Sequence, residues 1–369
     1  MTRLVDRVPA YVRTFERHVP SRPDPVLMRQ YGVSHLYRLN NNENALGPPP
    51  LAREAIAAFV PERAAIYPSG DAYDLRQALA LRFSKSPEQF LVGNGSCEVI
   101  SSVIRAFCAP GDAIATADKT FAVYEWVARF SCIETRLVPL ARQAFDPVGL
   151  LAAVTDNTKI VFVCNPNNPT GTWWNRAVLE RFLAALDDRA LVVLDEAYRE
   201  YIDDPDYPDG MEIMERHGNV LVFRTFSKMY GLAGFRVGYL CGPLEAVEFV
   251  RRTHIAYSVN SLGQIAAAAA LADDAGHIEG TRRMVAGARD YLHGLFEAMG
   301  LEYVSGAGNF IMVRTSVSDT LLYRRLMREG VMVRTMTGFR YPNWIRVSLA
   351  REQAMEAFAK AFRKVLDIP

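Results

Sequence analysis

Long apolar runs, surplus charge of either sign and paired cysteines are all missing from this sequence, and each absence removes a class of function. Without an uninterrupted apolar stretch of about 18 residues, a membrane-spanning helix is not expected. The alanine run 266–270 lies between Gln264 and Asp273 and reads as a buried globular helix. Forty-two basic side chains balance 41 acidic ones, for a formal net charge of +1. That balance leaves no electrostatic footprint for nucleic acid or a membrane surface. Cys97, Cys108, Cys132, Cys164 and Cys241 are odd in number and nowhere spaced as CxxC. The pattern argues against a disulfide framework or a zinc site and fits a reducing cytoplasm. His18, His35, His217, His254, His277 and His293 form no i,i+4 ligand pair and read as surface or packing residues. The opening residues, MTRLVDRVPAYVRTFERH, lack the continuous apolar segment of a signal peptide. Internal repeats and low-complexity linkers are lacking too.

What the sequence does have is length and a regular alternation. Its 369 residues exceed one small core and suggest two or three domain-sized units. Short β-branched runs at 90–92, 113–116, 135–139, 160–164, 191–194, 220–225 and 236–241 alternate with helical patterns at 96–107, 176–186 and 244–253. Apolar runs with little internal alternation predict strands buried on both faces, hence an α/β fold with a mainly parallel sheet sandwiched by helices. After about residue 275 the pattern changes. A long amphipathic helix is predicted over 277–299, ended by Gly300. Short strands at 309–313, 331–333 and 344–347 follow, then a terminal helix over 351–366. The expected organisation is a large unit over 36–272 and a smaller α+β unit built from 273–369 and the N-terminal 1–35. A cleft between such units is a common place for a cofactor and a closing lid.

Four polar segments fall at the ends of predicted strands, where open α/β sheets bind ligands. GNGSCEVI (93–100) reads as a strand end, a glycine turn and a helix start. The amides of Ser96 and Cys97 then face outward at the positive end of a helix, which suits a phosphate; an ordinary glycine turn with a serine cap uses the same residues. NPNNPTG (165–171) follows the strand VFVC, and its prolines favour a rigid turn. That turn either presents the Asn168 amide to a ligand or is simply a polar loop. DEAY (195–198) follows LVVL, where a carboxylate is costly unless it meets a cation or a protonated partner. The two acids read as an acid/base pair, as metal ligands, for which neighbouring histidines are lacking, or as a surface pair capping a helix. RTFSKMYGLAGFRVG (224–238) carries the Thr225 and Ser227 hydroxyls, an isolated Lys228, a glycine loop and Arg236 eight residues later. A single lysine is usually a solvated charge. One that follows a buried strand among aromatic and small residues can have a lowered pKa and act as a nucleophile.

The ordered set GNGSxE, NPNNPTG, DEAY, SK…GLAGFRVG and a late IRVS resembles the class I/II aminotransferases, enzymes of the fold type I pyridoxal-5'-phosphate (PLP) class. The histidinol-phosphate aminotransferase branch is most similar, through DEAYREYIDDPDYPDG and NNNENALGPPP, and the match runs from about Leu39 to Ala350. The resemblance implies PLP as cofactor and makes Lys228 the Schiff-base lysine, which the incoming amine displaces and which then shuttles the Cα proton. Asp195 is then expected against the pyridine nitrogen, keeping it protonated so that the ring acts as an electron sink. Tyr198 and Asn168 would bond the ring's 3'-oxygen, and Phe121 of KTFAVY would stack on the ring. The resemblance assigns the cofactor phosphate to the amides of Ser96 and Cys97, the hydroxyls of Thr225 and Ser227, and Arg236 as a bidentate cation. In this family the tyrosine matching Tyr67, in IYPSGDAYDLR, reaches the neighbouring subunit's phosphate, which implies a homodimer with shared active sites.

On the substrate side, Arg346 of WIRVS matches the arginine that clamps an α-carboxylate, and Arg334 of VMVRTM matches the one that binds the phosphate of histidinol phosphate. Arg334 also reads as a structural ion-pair partner. Asn309 of GNFIMV, with Glu43 and Asn44 of the early NNNEN run, completes the implied substrate set. Several positions depart from the family pattern. Cys97 stands where relatives commonly have Asp, and Pro9–Ala10–Tyr11–Val12–Arg13 replaces a PYxPG-like segment. HIAYSVNS has Ala256 in place of a proline, and RVSLA replaces RVTIG. None removes a residue of the implied PLP core, since the Cys97 amide is unaffected; together they bear on the substrate. The expected activity is ping-pong transamination, with histidinol phosphate as donor and 2-oxoglutarate as acceptor. An aminotransferase for an aromatic or other amino acid is the nearest alternative. A decarboxylase or lyase on the same scaffold is a second, and a non-enzymatic PLP-binding regulator is disfavoured because no DNA-binding extension is visible.

Overall fold

Runs of Val, Ile, Leu and Phe without alternation become strands covered on both faces, and this shapes the larger of two sheets. The structure is a computed structural model of the chain; it describes residues 3–15, 22–272 and 274–366, so His18 lies outside the described residues. In chain order the strands are β1 (Tyr37–Leu39), β2 (Phe90–Gly93), β3 (Ala113–Ala117), β4 (Glu134–Val138), β5 (Thr158–Cys164) and β6 (Leu191–Asp195). They continue as β7 (Val220–Thr225), β8 (Gly238–Cys241), β9 (Tyr303–Ser305), β10 (Phe310–Arg314), β11 (Val331–Thr335) and β12 (Trp344–Ser348).

The seven-stranded sheet has the order β2-β8-β7-β6-β5-β3-β4. Its pairings are parallel except that β8 runs antiparallel to both β2 and β7. Helices Ser96–Phe107, Val123–Phe130, Arg176–Leu186 and Leu244–Thr253 pack around it. Ile160, Phe162, Val193 and Phe223 are wholly buried between those layers. The expected α/β architecture with a mainly parallel sheet is present. The register sets Cys164 of β5 opposite Asp195 of β6 and Asp195 opposite Phe223 of β7, so three neighbouring strands end at one level.

The smaller sheet has the order β1-β11-β12-β10-β9 and is covered by helices Asp274–Ala298, Asp319–Arg328 and Glu352–Val365. Gly300 takes a positive φ of 62° just beyond the long helix, a conformation glycine adopts without strain. The sequence reading began the large unit at residue 36. Tyr37–Leu39 nevertheless pairs in parallel with 331–333 at the edge of the small sheet; three residues are too few to display a period. Leu27 packs on Met327 and Met332 of the same unit. β8 starts at Gly238, not at 236, because Arg236 sits in a left-handed conformation (φ 59°) after the turn Ala233–Phe235. Among the described residues, no helix is long and apolar enough to cross a membrane.

Candidate active site

The carboxyl-terminal ends of β5, β6 and β7, at Cys164, Asp195 and Thr225, open into a cavity. It is lined by Ser96, Cys97 and Phe121, by Cys164, Asn168, Asp195 and Tyr198, and by Thr225, Ser227, Lys228 and Arg236. These residues come from segments up to 140 positions apart in sequence, and the parallel sheet is what brings them to one place.

The helix Ser96–Phe107 begins at Gly95 with no side chain capping it, so its first N–H groups point at the cavity unpaired by any side chain. Arg236 faces the same spot: a Cβ on Gly95 would stand 2.3 Å from its Nη2. The guanidinium donates to Ser227 Oγ at 3.3 Å, and Thr225 Oγ1 accepts the Ser227 amide at 3.1 Å. A helix N-terminus, two hydroxyls and a guanidinium converging on one point make a site for a multiply charged anion. The side chain of Cys97 is a thiol pushed upward in pKa by burial, hence neutral.

Asp195 is 2% exposed. Its Oδ1 accepts the Ala197 amide at 3.1 Å and its Oδ2 accepts the hydroxyl of Tyr124. Burial raises its pKa, and those two donors oppose the rise. The adjacent Glu196 turns to the opposite side. It takes Arg224 Nε and Nη2 at 2.9 and 2.7 Å and the Gly210 amide at 2.8 Å, while Arg224 also reaches Asp209. The two acids of DEAY therefore do separate work, one facing the cavity and one closing a buried ion pair. Among the described residues no group of three His, Cys, Asp or Glu capable of holding a metal occurs.

Lys228 follows β7 and donates to the Asn41 carbonyl at 2.8 Å. Burial, then the charge of Arg346, lowers its pKa to about 8. The Tyr198 hydroxyl accepts from Asn42 Nδ2 at 2.9 Å, and burial raises its pKa to about 12. Asn42 is itself held by Ser348 Oγ, which accepts its amide at 2.8 Å and returns a bond to its Oδ1 at 3.1 Å. Thus the small sheet grips the Tyr198 side of the cavity through a residue on the loop after β1.

Arg346 of β12 is buried and donates to the Asn168 side chain and to the Asn40 carbonyl at 3.1 Å; its Nε has no partner. Arg334 of β11 is its cross-strand neighbour. Both guanidinium groups lie over the Phe339 ring, at 5.7 and 5.8 Å. Among the described residues neither has a carboxylate in ion-pair reach, and burial lowers both pKa values, that of Arg346 to about 10. Two adjacent cations without a counter-ion are unfavourable until an anion joins them.

The remaining expected site residues do not line this cavity. Asn44 is spent on structure: Nδ2 bonds Met229 O at 2.6 Å and Thr281 Oγ1 at 3.1 Å, and Oδ1 takes the Leu46 amide at 2.9 Å. Asn309 donates to the Asn42 and Glu43 carbonyls and leaves its Oδ1 buried and unbonded. The Glu43 side chain is exposed and its charge acts on Lys228. Tyr67 is 83% exposed, tilted against Tyr257 at 5.3 Å and outside its own chain's cavity. Sequence reasoning missed Tyr124, Asn42 and Ser348. Tyr124 stands one helical turn after Phe121 and Asn42 within the NNNEN run, so proximity to chosen residues was the available signal.

The chain as a whole is similar to known proteins. Histidinol-phosphate aminotransferase 2 of Pseudomonas aeruginosa is 40% identical over 357 residues, 96% of each chain. Histidinol-phosphate aminotransferase of Moorella thermoacetica is 38% identical over 356 residues, 96% of this chain and 92% of that one. The crystal structure of histidinol-phosphate aminotransferase from Sinorhizobium meliloti in complex with pyridoxal-5'-phosphate aligns with a TM-score of 0.87 at 28% identity, over 98% of both chains. Residues 34–362, which include every wall of the cavity, match the family model for aminotransferase class I and II, and to that family the chain belongs.

Proposed function

We propose that this protein is a PLP-dependent aminotransferase that takes nitrogen from histidinol phosphate and delivers it to 2-oxoglutarate. The observation that carries the reading is the pair Arg334 and Arg346, two cations without carboxylates among the described residues, beside a cavity that holds a low-pKa lysine. The cavity's donors fit the cofactor. A helix end without a side-chain cap, two hydroxyls and Arg236 suit its phosphate, and a buried carboxylate without a cation suits its ring nitrogen. When bound, the cofactor supplies a carbonyl carbon that captures an amine and a protonated ring that withdraws electrons from the substrate Cα.

In this reading Lys228 would hold the cofactor covalently and, once its Nζ is free, would move the Cα proton of the substrate. Asp195 keeps the proton on the ring nitrogen. Tyr198 and Asn168 would hold the ring oxygen, and Phe121 would lie against the ring and exclude water. Arg346 takes the carboxylate of glutamate or 2-oxoglutarate, and Arg334 takes the phosphate of the other substrate. Asn309 and Asn44 serve by fixing the 40–47 loop against the site, with Glu43 at its rim. The division of labour between a cofactor-holding unit and a smaller unit carrying the arginines, with β1 assigned to the latter, belongs to the same reading. So does a homodimer: Ile66, Tyr67 and Tyr257 are 67%, 83% and 56% exposed, an apolar face suited to a second copy. Five free thiols favour a reducing compartment such as the cytoplasm.

The test is a half-reaction followed by visible absorbance in the PLP-loaded protein. Histidinol phosphate should bleach the band of the lysine-bound cofactor and 2-oxoglutarate should restore it. Arg334→Ala should raise the donor concentration required by roughly tenfold or more, the scale of one charge-assisted contact, and leave the glutamate half-reaction near wild type. Bleaching by another amino acid but not by histidinol phosphate would discard the donor and keep the aminotransferase.

A further inference from the structure

We propose that Tyr124 is a positioning residue for Asp195: its hydroxyl orients the carboxylate and holds it ionised, leaving the opposite side free to face a cationic ring nitrogen. The inference rests on the reading above that Asp195 meets the cofactor ring.

Tyr124 is entirely buried in the first turn of helix Val123–Phe130. Its ring stacks on Phe162 of β5 at 4.6 Å and 14°, and Phe121 meets it edge-on at 5.6 Å. Those two contacts fix the ring plane, and in that plane the hydroxyl donates to Asp195 Oδ2. The buried guanidinium on the neighbouring strand, Arg224, is committed to Glu196 and Asp209, so it does not neutralise Asp195. Tyr124 is thus the side-chain donor that this carboxylate has among the described residues, beside the Ala197 amide.

The chemistry favours one proton arrangement. A phenol bonded to a carboxylate is a charge-assisted donor and stabilises the anion more than the neutral acid. Burial and the Asp195 charge push the Tyr124 pKa well above its ordinary value, so the proton stays on the tyrosine and the charge on the aspartate. Of the other titratable and charged groups sharing the cavity, burial keeps Cys97, Cys164 and Tyr198 neutral, and the remaining ones are the Lys228 amine and the Arg236 guanidinium. Without the hydroxyl, the carboxylate keeps one amide donor and shifts toward its protonated form. The ring nitrogen then lacks its counter-charge.

The experiment compares wild type, Tyr124→Phe and Phe162→Leu as PLP-loaded proteins, measuring PLP dissociation, the pH midpoint of the visible band, and kcat and KM. Tyr124→Phe should hold PLP roughly tenfold more weakly, the loss of one bond to a charged group. Its band midpoint should move to higher pH, because a ring with less positive charge leaves the bonded Lys228 nitrogen more basic. Its kcat should fall with little change in KM for the donor. Phe162→Leu loosens the same ring packing but retains the hydroxyl, and should lower thermal stability without moving the midpoint. Unchanged midpoint and PLP affinity in Tyr124→Phe would overturn the inference, as would Phe162→Leu reproducing the full shift. A wild-type protein that takes up no PLP would sink the underlying reading, and the inference with it.

Discussion

Lys228 becomes a usable base through its neighbours. At its ordinary pKa of 10.5 it would be almost wholly protonated near neutrality, whereas burial and the Arg346 cation bring it to about 8. The sign of the Arg346 effect is definite: a nearby positive charge repels the ammonium and favours the free amine. Glu43 acts the other way, from the exposed rim. Capture of PLP by the cofactor-free protein needs the free amine. Its rate should therefore rise with pH and level off above about pH 8. In Arg346→Gln the repelling cation is gone, so the plateau should be reached at higher pH, and stopped-flow mixing across a pH series reads this directly. Superimposable profiles would mean that Arg346 does not tune the lysine. Arg346 can play this part because Phe310 and Phe339 pack its planar guanidinium on both sides and the Asn168 and Asn40 oxygens hold it in place of a carboxylate.

The start of the helix Ser96–Phe107 shows how an element is shaped around something it must hold. Gly95 has φ 79° and ψ 165°, a region essentially closed to residues with a Cβ. Gly238 is equally constrained from the other side, since a Cβ there would stand 2.5 Å from the Ser96 amide nitrogen. Gly95→Ala should cost about 1–3 kcal/mol of stability in urea unfolding. It should also weaken PLP binding about tenfold, because the new methyl displaces the Arg236 guanidinium. Wild-type PLP affinity in a destabilised variant would separate the backbone effect from the anion site. This segment was legible in the sequence because a glycine turn between an apolar strand and a helical pattern leaves few alternatives. The loop bearing Lys228 was legible for the same reason, following six buried residues of β7. β1 was not, since three residues show no period, and the role of Glu196 stayed open because its partner Arg224 lies 28 positions away and only the fold brings them together. Asn44 illustrates the converse. An asparagine in a motif invites a ligand, yet its amide here is fully used in tying the 42–47 loop to Met229 and Thr281. Residue type and spacing reveal what a turn can offer, whereas the consumer of each bond is a property of tertiary contact.

At the scale of the whole molecule, Tyr67 is out of place in a single copy. A tyrosine at 83% exposure, with Ile66 beside it at 67% and Tyr257 against its ring, costs solvation unless another surface covers it. A twofold partner would cover it and carry the hydroxyl to the neighbouring cavity, since a two-fold interface places the same patch on both subunits. Each active site would then draw Lys228 from one chain and Tyr67 from the other. Mixing two crippled variants tests that arrangement. A heterodimer of Lys228→Ala with Tyr67→Ala contains one site that lacks both groups and one that has both. With random exchange after mild dissociation, half of the dimers are mixed, so activity should recover to about a quarter of wild type, starting from two preparations that are each nearly inactive. If Tyr67 served its own chain, every site in the mixture would lack one group and no activity would return. Sedimentation of the wild-type protein supplies the companion observation, because a monomer at assay concentrations would leave the exposed aromatic face without an occupant and Tyr67 without a cavity to reach.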